Sequence, residues 1–476
     1  MSRGAALRRS APLLAAFLLA AGFVISRPGA LSKDAGEYDA LARSIRGGRF
    51  EIGGHPSMLR EPGYPAFRAA VFSVADHLEA VRWIQVLLFV ATAWLVRAAL
   101  REIDARLAAT GAWAAALSYG LAVYVARHLL ETLAAAEVAL LVWLAARLLV
   151  RGASWGRIAA FSSAGAALAL TRFSLVPIPL LLLAGMAIAW RPRGLRHLVP
   201  RIAVAGGLLA ALVAPWVVRN GMAFGVWSVA GRTGVQAAAR AYKAAAPWSR
   251  FVASAVSVLV GRSALRAVVP SAAPIVFDQW NWVWARYAAL SVGTDASAAD
   301  SRLQEESFAQ ILSTPGMAMR AALWSGIDTA RLLALPSPFS QEFGIENMFW
   351  PQAEKGTLGP LRIAVLLLAH AVQAAWWAGM AFGAWEGFRR YRARFVPGWI
   401  LLAVVAAHLP ADNIVRYAAP VHPWLAFLAA WGWMRFASLH LRRLVVVRRI
   451  AAAFFGEGGP DLSRTPSSLG ETGVAV

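Results

Sequence analysis

Asp34-Ala-Gly-Glu37-Tyr38 places two carboxylates three residues apart, a spacing that sets them side by side on one helical face. A carboxylate so placed can take a proton from a hydroxyl that reaches it, the work of a general base. Asp34 is equally suited to cap the helix that begins there. A second group follows in Arg60-Glu61-Pro62-Gly63-Tyr64-Pro65, where two prolines around a glycine impose a fixed turn and aim Arg60 and Tyr64 in set directions. Farther along, Glu131 opens one apolar run, Arg172 separates two others, Pro215-Trp216-Val-Val-Arg219-Asn220 closes another, and Arg416-Tyr417-Ala-Ala-Pro420 opens the last. Arginine keeps its charge when partly buried and offers phosphate a planar fork of donors. Charge at the edge of an apolar run is costly, so it marks function more often than decoration. Each residue alone also fits a plainer role: a snorkelling turn for Arg172, an interface anchor for Arg219 or Arg416, a favourable helix-start charge for Glu131.

The elements that must carry these residues are membrane spans. Hydrophobic residues make up 59% of the chain and the mean hydropathy is +0.55, which predicts an all-α polytopic membrane protein. A span needs about 20 apolar residues, fewer where flanking groups snorkel. Ten are read near residues 11–26, 82–100, 108–126, 129–148, 157–171, 173–190, 202–219, 361–384, 395–410 and 415–435. Lys and Arg beside short loops stay on the cytoplasmic side. With the N-terminus inside, the inner ends collect Arg3, Arg8 and Arg9, then Arg97, Arg101 and Arg106, then the groups at 147–157, 191–201, 389–394 and 435–449. The short outer turns hold Arg127, Arg172 and Arg416. Both termini are therefore expected inside: residues 1–10 as a cytoplasmic start, 11–437 as the membrane domain, and 438–476 as a cytoplasmic tail, disordered toward its Gly-, Pro- and Ser-rich end. The first span follows basic residues as a signal peptide would, but no small-residue cleavage site precedes Ser32, so it is read as a retained anchor.

Two long outer segments remain, 27–81 and 220–360. In the first, Tyr38, Leu41, Ala42 and Ile45 share a helical face that Gly47-Gly48 ends. In the second, the apolar stretch 251–276 is broken by Arg262 and Arg266, and 317–335 by Arg320, Asp328 and Arg331. Parity allows both to cross or neither; neither is expected, and each can lie in the interface as an amphipathic helix or dip into the membrane. Trp280, Trp282 and Trp284 suit the headgroup region.

The formal charge of +22 does not call for nucleic acid, because the basic residues sit where topology requires them, facing anionic headgroups. With no cysteine, disulfides and thiolate metal sites are excluded. His55, His128, His370, His408 and His422 show no close ligand pair, and a Gly-rich phosphate loop with Lys and Ser or Thr is lacking.

Together the series Asp34-x-x-Glu37-Tyr38, Arg60-x-Pro-x-Tyr64-Pro65, Thr171-Arg172, Pro215-Trp216-x-x-Arg219-Asn220 and Arg416-Tyr417-x-x-Pro420 resembles the polytopic type C (GT-C) glycosyltransferases. The nearest likeness is to the bacterial branch related to protein O-mannosyltransferases, lipid A aminoarabinose transferases and rhizobial lipopolysaccharide galacturonosyltransferases. The resemblance implies an inner-membrane enzyme that takes a sugar from a polyprenyl-phosphate donor, outside the cytoplasm, to a glycolipid, glycan or protein acceptor. It maps the proposed base onto Asp34; Glu37, Tyr38, Arg60, Tyr64, Glu131, Arg172, Arg219, Asn220, Arg416 and Tyr417 are then read as the residues that bind donor and acceptor. No cofactor is expected: arginines at the leaving phosphate make a metal unnecessary, while an outer-loop divalent cation stays open. Direct displacement would invert the anomeric centre. A lipid-linked oligosaccharide ligase or polymerase is the nearest alternative. A transporter is more distant, since it would place charge near the bilayer midplane and often carries inverted repeats.

Overall fold

The computed structural model describes residues 3–26, 32–231, 233–260, 278–292, 296–334, 360–408 and 415–440, with scattered positions in 265–275. Arg262, Arg266, the tail beyond 440 and the side chains of Arg416, His370 and His408 lie outside the described residues. Each of the ten apolar segments carries a helix, and the architecture is that of a multi-pass helical membrane protein. Four helices are individually long and apolar enough to cross a membrane: Leu78–Ile103, Glu131–Arg151, Phe173–Trp190 and Leu195–Phe224, or five with one bent pair counted as a span.

The bent pair corrects one expectation. Residues 108–126 form two helices, α5 (Ala108–Ala116) and α6 (Tyr119–Val125), meeting at 48°. The Leu117 N–H makes the last helical bond of α5, to Trp113; Ser118 then leaves helical geometry with ψ 82° and the Tyr119 N–H closes tightly onto the Leu117 carbonyl, so the axis must turn. The last apolar segment likewise starts as a 3-10 turn, Val415–Val421, holding Pro420, before α18 (His422–His440) begins. Proline lacks the N–H that a continuous α-helix would need.

At the centre, α4 (Leu78–Ile103) and α7 (Glu131–Arg151) pack along one another. Around them lie α1 (Arg3–Ser26), α5 and α6, and α8 (Trp155–Thr171), which leads to α9 (Pro177–Trp190) and α10 (Leu195–Phe224). α7 is rich in Ala and Leu, starts on an acid, ends on Arg151 and stops at Gly152, whose φ of 86° suits glycine. On the far side α16 (Pro360–Tyr391) packs on α18, with α17 (Val396–His408) beside α9. Gly379 and Gly383 of α16 and Gly432 of α18 leave no room for a Cβ, so these backbones touch.

Smaller cores form in the two long segments 27–81 and 220–360. In the first, α2 (Lys33–Arg46) lies on α3 (Gly63–Val74), burying Ala42, Ala69, Val71 and Phe72 with Val81. The expected face holds: Tyr38, Leu41 and Ala42 are buried and Gly47 caps the helix end. A hairpin pairs Glu51–Ile52 with His55–Pro56 through Gly53 and Gly54, whose φ values of 62° and 82° suit a tight two-residue turn. In segment 220–360, α11 (Thr233–Ala245) buries Val235, Ala238 and Ala239 against Val283 of α13 (Asp278–Leu290) and Leu303 of α14 (Ala296–Leu312). α12 (Trp248–Val260) and α15 (Pro315–Leu332) complete that unit.

Candidate active site

The helix α2 is capped by Ser32, whose Oγ accepts the Ala35 N–H at 3.3 Å. The cap expected of Asp34 thus belongs to the residue two places earlier, and the Asp34 carboxylate turns instead to Arg60. Glu37 sits one turn on, on the same face, and accepts from Arg60 Nε at 2.7 Å. One guanidinium therefore bridges both acids, which stay partly exposed at 26% for Asp34 and 18% for Glu37. The Arg60 Cζ lies 4.9 Å from the centre of the buried Tyr38 ring. Burial works against the charge on Arg60, but Tyr38, Asp34 and Glu37 outweigh it and raise its pKa.

Below this pair the packing is tight. Tyr38 meets Tyr64 edge-on at 5.0 Å, and the Tyr64 hydroxyl donates to Gln85 Oε1 at 3.3 Å. Burial raises the Tyr64 phenol pKa; Arg68 opposes this, while Glu131 and Tyr38 add to it. Arg68, fully buried in α3, donates to the Ala35 carbonyl at 3.0 Å and to Asp39 at 2.7 Å, fixing the start of α2 on α3. Sequence reasoning passed over Arg68, though an arginine inside the apolar run 64–74 is a signal of the kind that drew attention to Arg172.

Glu131, buried at the start of α7, accepts from Arg172 at 3.3 Å, and Arg172 lies 4.6 Å above the Tyr417 ring. The Tyr417 hydroxyl in turn accepts from Gln236 of α11 at 3.5 Å. The turn after Arg60 docks on this second group. Glu61 accepts the Phe173 N–H at 3.2 Å, and a Cβ on Gly63 would fall 2.8 Å from the Thr171 nitrogen. Asp34, Glu37, Tyr38, Arg60 and Tyr64 are thereby joined to Glu131, Arg172 and Tyr417 through one rigid turn.

Arg219 and Asn220 are placed differently. Arg219 donates to the Ser57 carbonyl at 2.7 Å and to Asn220 Oδ1 at 2.8 Å, and packs over Trp216, Phe224 and Phe50. Asn220 donates to the Ser228 and Val229 carbonyls at 2.8 and 3.1 Å. The Arg219 contacts tie the hairpin end of segment 27–81 to the end of α10, so in this geometry Arg219 anchors the loop. No motif points to this, because backbone carbonyls as partners carry no residue type.

Another buried group lies in segment 220–360. Asp328 of α15 meets Lys243 at 2.8 Å and Arg240 at 3.0 Å, both from α11. Among the described residues, no group of three or more His, Asp or Glu could hold a metal ion. His128, buried in the turn before α7, has its pKa pushed down to about 4 by burial, with Arg68 and Arg82 adding to the effect.

No protein-family model matches the chain, and no curated protein matches it. Among solved structures it is similar to ArnT from Cupriavidus metallidurans bound to undecaprenyl phosphate, at 12% identity and a TM-score of 0.40, over 94% of this chain and 82% of that one. It is also similar to the apo state of that protein, at 14% identity and a TM-score of 0.39, over 91% and 78% of the two chains. Likeness at this level does not define an activity.

Proposed function

We propose that this chain is a type C glycosyltransferase. It moves a sugar from a polyprenyl-phosphate donor to a hydroxyl of a lipid, glycan or protein acceptor on the outer face of the membrane, with inversion. The observation that carries this reading is the acid pair Asp34 and Glu37 on α2, partly exposed and bridged by Arg60, whose turn docks on Thr171 and Phe173 at either side of Arg172. The phosphodiester of a donor entering here competes with the acids for the Arg60 fork. As Arg60 turns to the phosphate, an Asp34 oxygen is released to accept the proton of the acceptor hydroxyl. The acceptor oxygen then bonds to the anomeric carbon, the bond from that carbon to the phosphate oxygen breaks, and the carrier departs as polyprenyl phosphate. Arg172, held by Glu131 and Tyr417, supplies a second cation where charge develops. The arginine asymmetry of the sequence supports cytoplasmic termini with Asp34 outside.

The test is reconstitution of the purified chain in vesicles with a panel of polyprenyl-phosphate sugars and candidate acceptors. The expected result is release of polyprenyl phosphate that depends on both protein and acceptor, with or without chelator. If no member of the panel is consumed while a lipid-linked oligosaccharide is transferred intact, the ligase reading replaces this one.

A further inference from the structure

Glu137 is an acid that no helix end explains. It lies six residues beyond Glu131 on α7, ~9 Å deeper along the axis, inside a helix apolar enough to cross a membrane. Its Oε1 accepts from Thr171 Oγ1 at 2.9 Å, and its Oε2 is buried with no hydrogen-bond partner among the described residues. A carboxyl group here is costly, and a leucine would pack the same space without that cost.

What the acid achieves follows from its partner. Thr171 directly precedes Arg172, so consecutive residues at the end of α8 grip α7 at two depths: Thr171 on Glu137 and Arg172 on Glu131. Thr171 is also the surface on which the Arg60 turn rests. A Cβ on Gly63 would lie 2.8 Å from the Thr171 nitrogen and 2.9 Å from the Leu170 carbonyl oxygen, and would strike Thr171 Oγ1 as well. The Thr171 hydroxyl has one proton to donate, and giving it to Glu137 fixes the rotamer that faces Gly63. Without that acceptor, a threonine in a helix turns its hydroxyl to the carbonyl four residues earlier, which changes the surface under Gly63.

We propose that Glu137 is a positioning residue: through Thr171 it sets the height of the 60–64 turn, and so of Arg60, relative to Arg172. The inference rests on the glycosyltransferase reading for its consequence in turnover, but its geometric part stands apart from that reading. A polar pair that merely glued α7 to α8 would affect the yield of folded protein and leave turnover per folded molecule unchanged.

The experiment uses the full chain in vesicles with a polyprenyl-phosphate sugar donor. Glu137→Ala and Thr171→Val are each expected to lower kcat ~10-fold with donor KM within ~2-fold of the parent. The double variant should be no worse than either single one, as two ends of one contact require. Glu137→Gln, which keeps the acceptor oxygen, and Thr171→Ser, which keeps the donor, should restore kcat to within ~2-fold. The chain has no native cysteine, so Ala66→Cys on the exposed side of α3 gives a readout independent of activity. Its labelling by a maleimide should change in the Glu137→Ala background and match the parent in Glu137→Gln. Additive losses in the double variant, Glu137→Gln as slow as Glu137→Ala, or unaltered labelling in Glu137→Ala would each overturn the proposal. If the parent consumes no glycolipid, the proposed function fails, and the labelling comparison still decides the role of Glu137.

Discussion

Two clusters of acid and base sit in the two long segments 27–81 and 220–360, and they are built in opposite ways. In the first, a single arginine, Arg60, spans two carboxylates that solvent can still reach. In the second, two cations from α11 close on one carboxylate, Asp328, which is completely buried. Both are ion clusters between helices, but only the first can exchange partners without unfolding its surroundings. A sealed pair has paid desolvation already and loses heavily if one member is removed. A half-open pair is worth little as glue and is better placed to meet a ligand. By this difference the second cluster is suited to architecture and the first to the proposed chemistry.

The contrast can be broken at its strongest point first. Asp328→Ala removes the carboxylate that Lys243 and Arg240 face, and should destabilise the protein by ~3–5 kcal/mol. Thermal unfolding in detergent would read this as a large drop or as loss of folded protein. An unchanged midpoint would show that the second cluster is not structural.

A smaller effect is expected at the seam between the first cluster and the bundle. Arg172→Ala should weaken donor affinity by ~10-fold to ~150-fold, the scale of one charge-assisted contact of ~1.5–3 kcal/mol. Titration of donor-dependent turnover checks this, and an unaltered KM would remove Arg172 from the phosphate site.

The smallest effect concerns pH. His128 has a folded-state pKa depressed from 6.5 to about 4, so its contribution to stability is complete above about 6.5 and is lost as pH falls toward about 4. His128→Asn should flatten that part of the stability profile while leaving neutral-pH turnover near normal. An unchanged acid limb would assign it to other groups.

Much of the first cluster was legible because its information is local. The three-residue spacing of Asp34 and Glu37, the buried face of Tyr38 and Leu41, and the stiff turn after Arg60 are all properties of short segments. The helices were legible for the same reason, since apolar runs of span length admit few other structures. What escaped depends on long-range contact. Thr171 and Glu137 are 34 residues apart, and Arg219 reaches Ser57 across 162, so neither pairing leaves a mark in spacing. Lys243 meets Asp328 across 85 residues, and no local pattern shows that this side of α11 is buried. The bend between α5 and α6 was hidden because Leu117-Ser118 lies within an unbroken apolar run and contains neither proline nor glycine.

The most direct measurement is turnover of Asp34→Asn beside its stability. Asparagine keeps the size of the side chain and can still accept from Arg60, and Ser32 rather than Asp34 caps α2. Folding should therefore be nearly unchanged. If Asp34 is the base, sugar transfer from the polyprenyl-phosphate donor falls ~100-fold or more, with the unfolding midpoint and donor binding close to the parent. Turnover equal to the parent, or a loss of activity that merely follows a loss of folded protein, would contradict the assignment of chemistry to the first cluster.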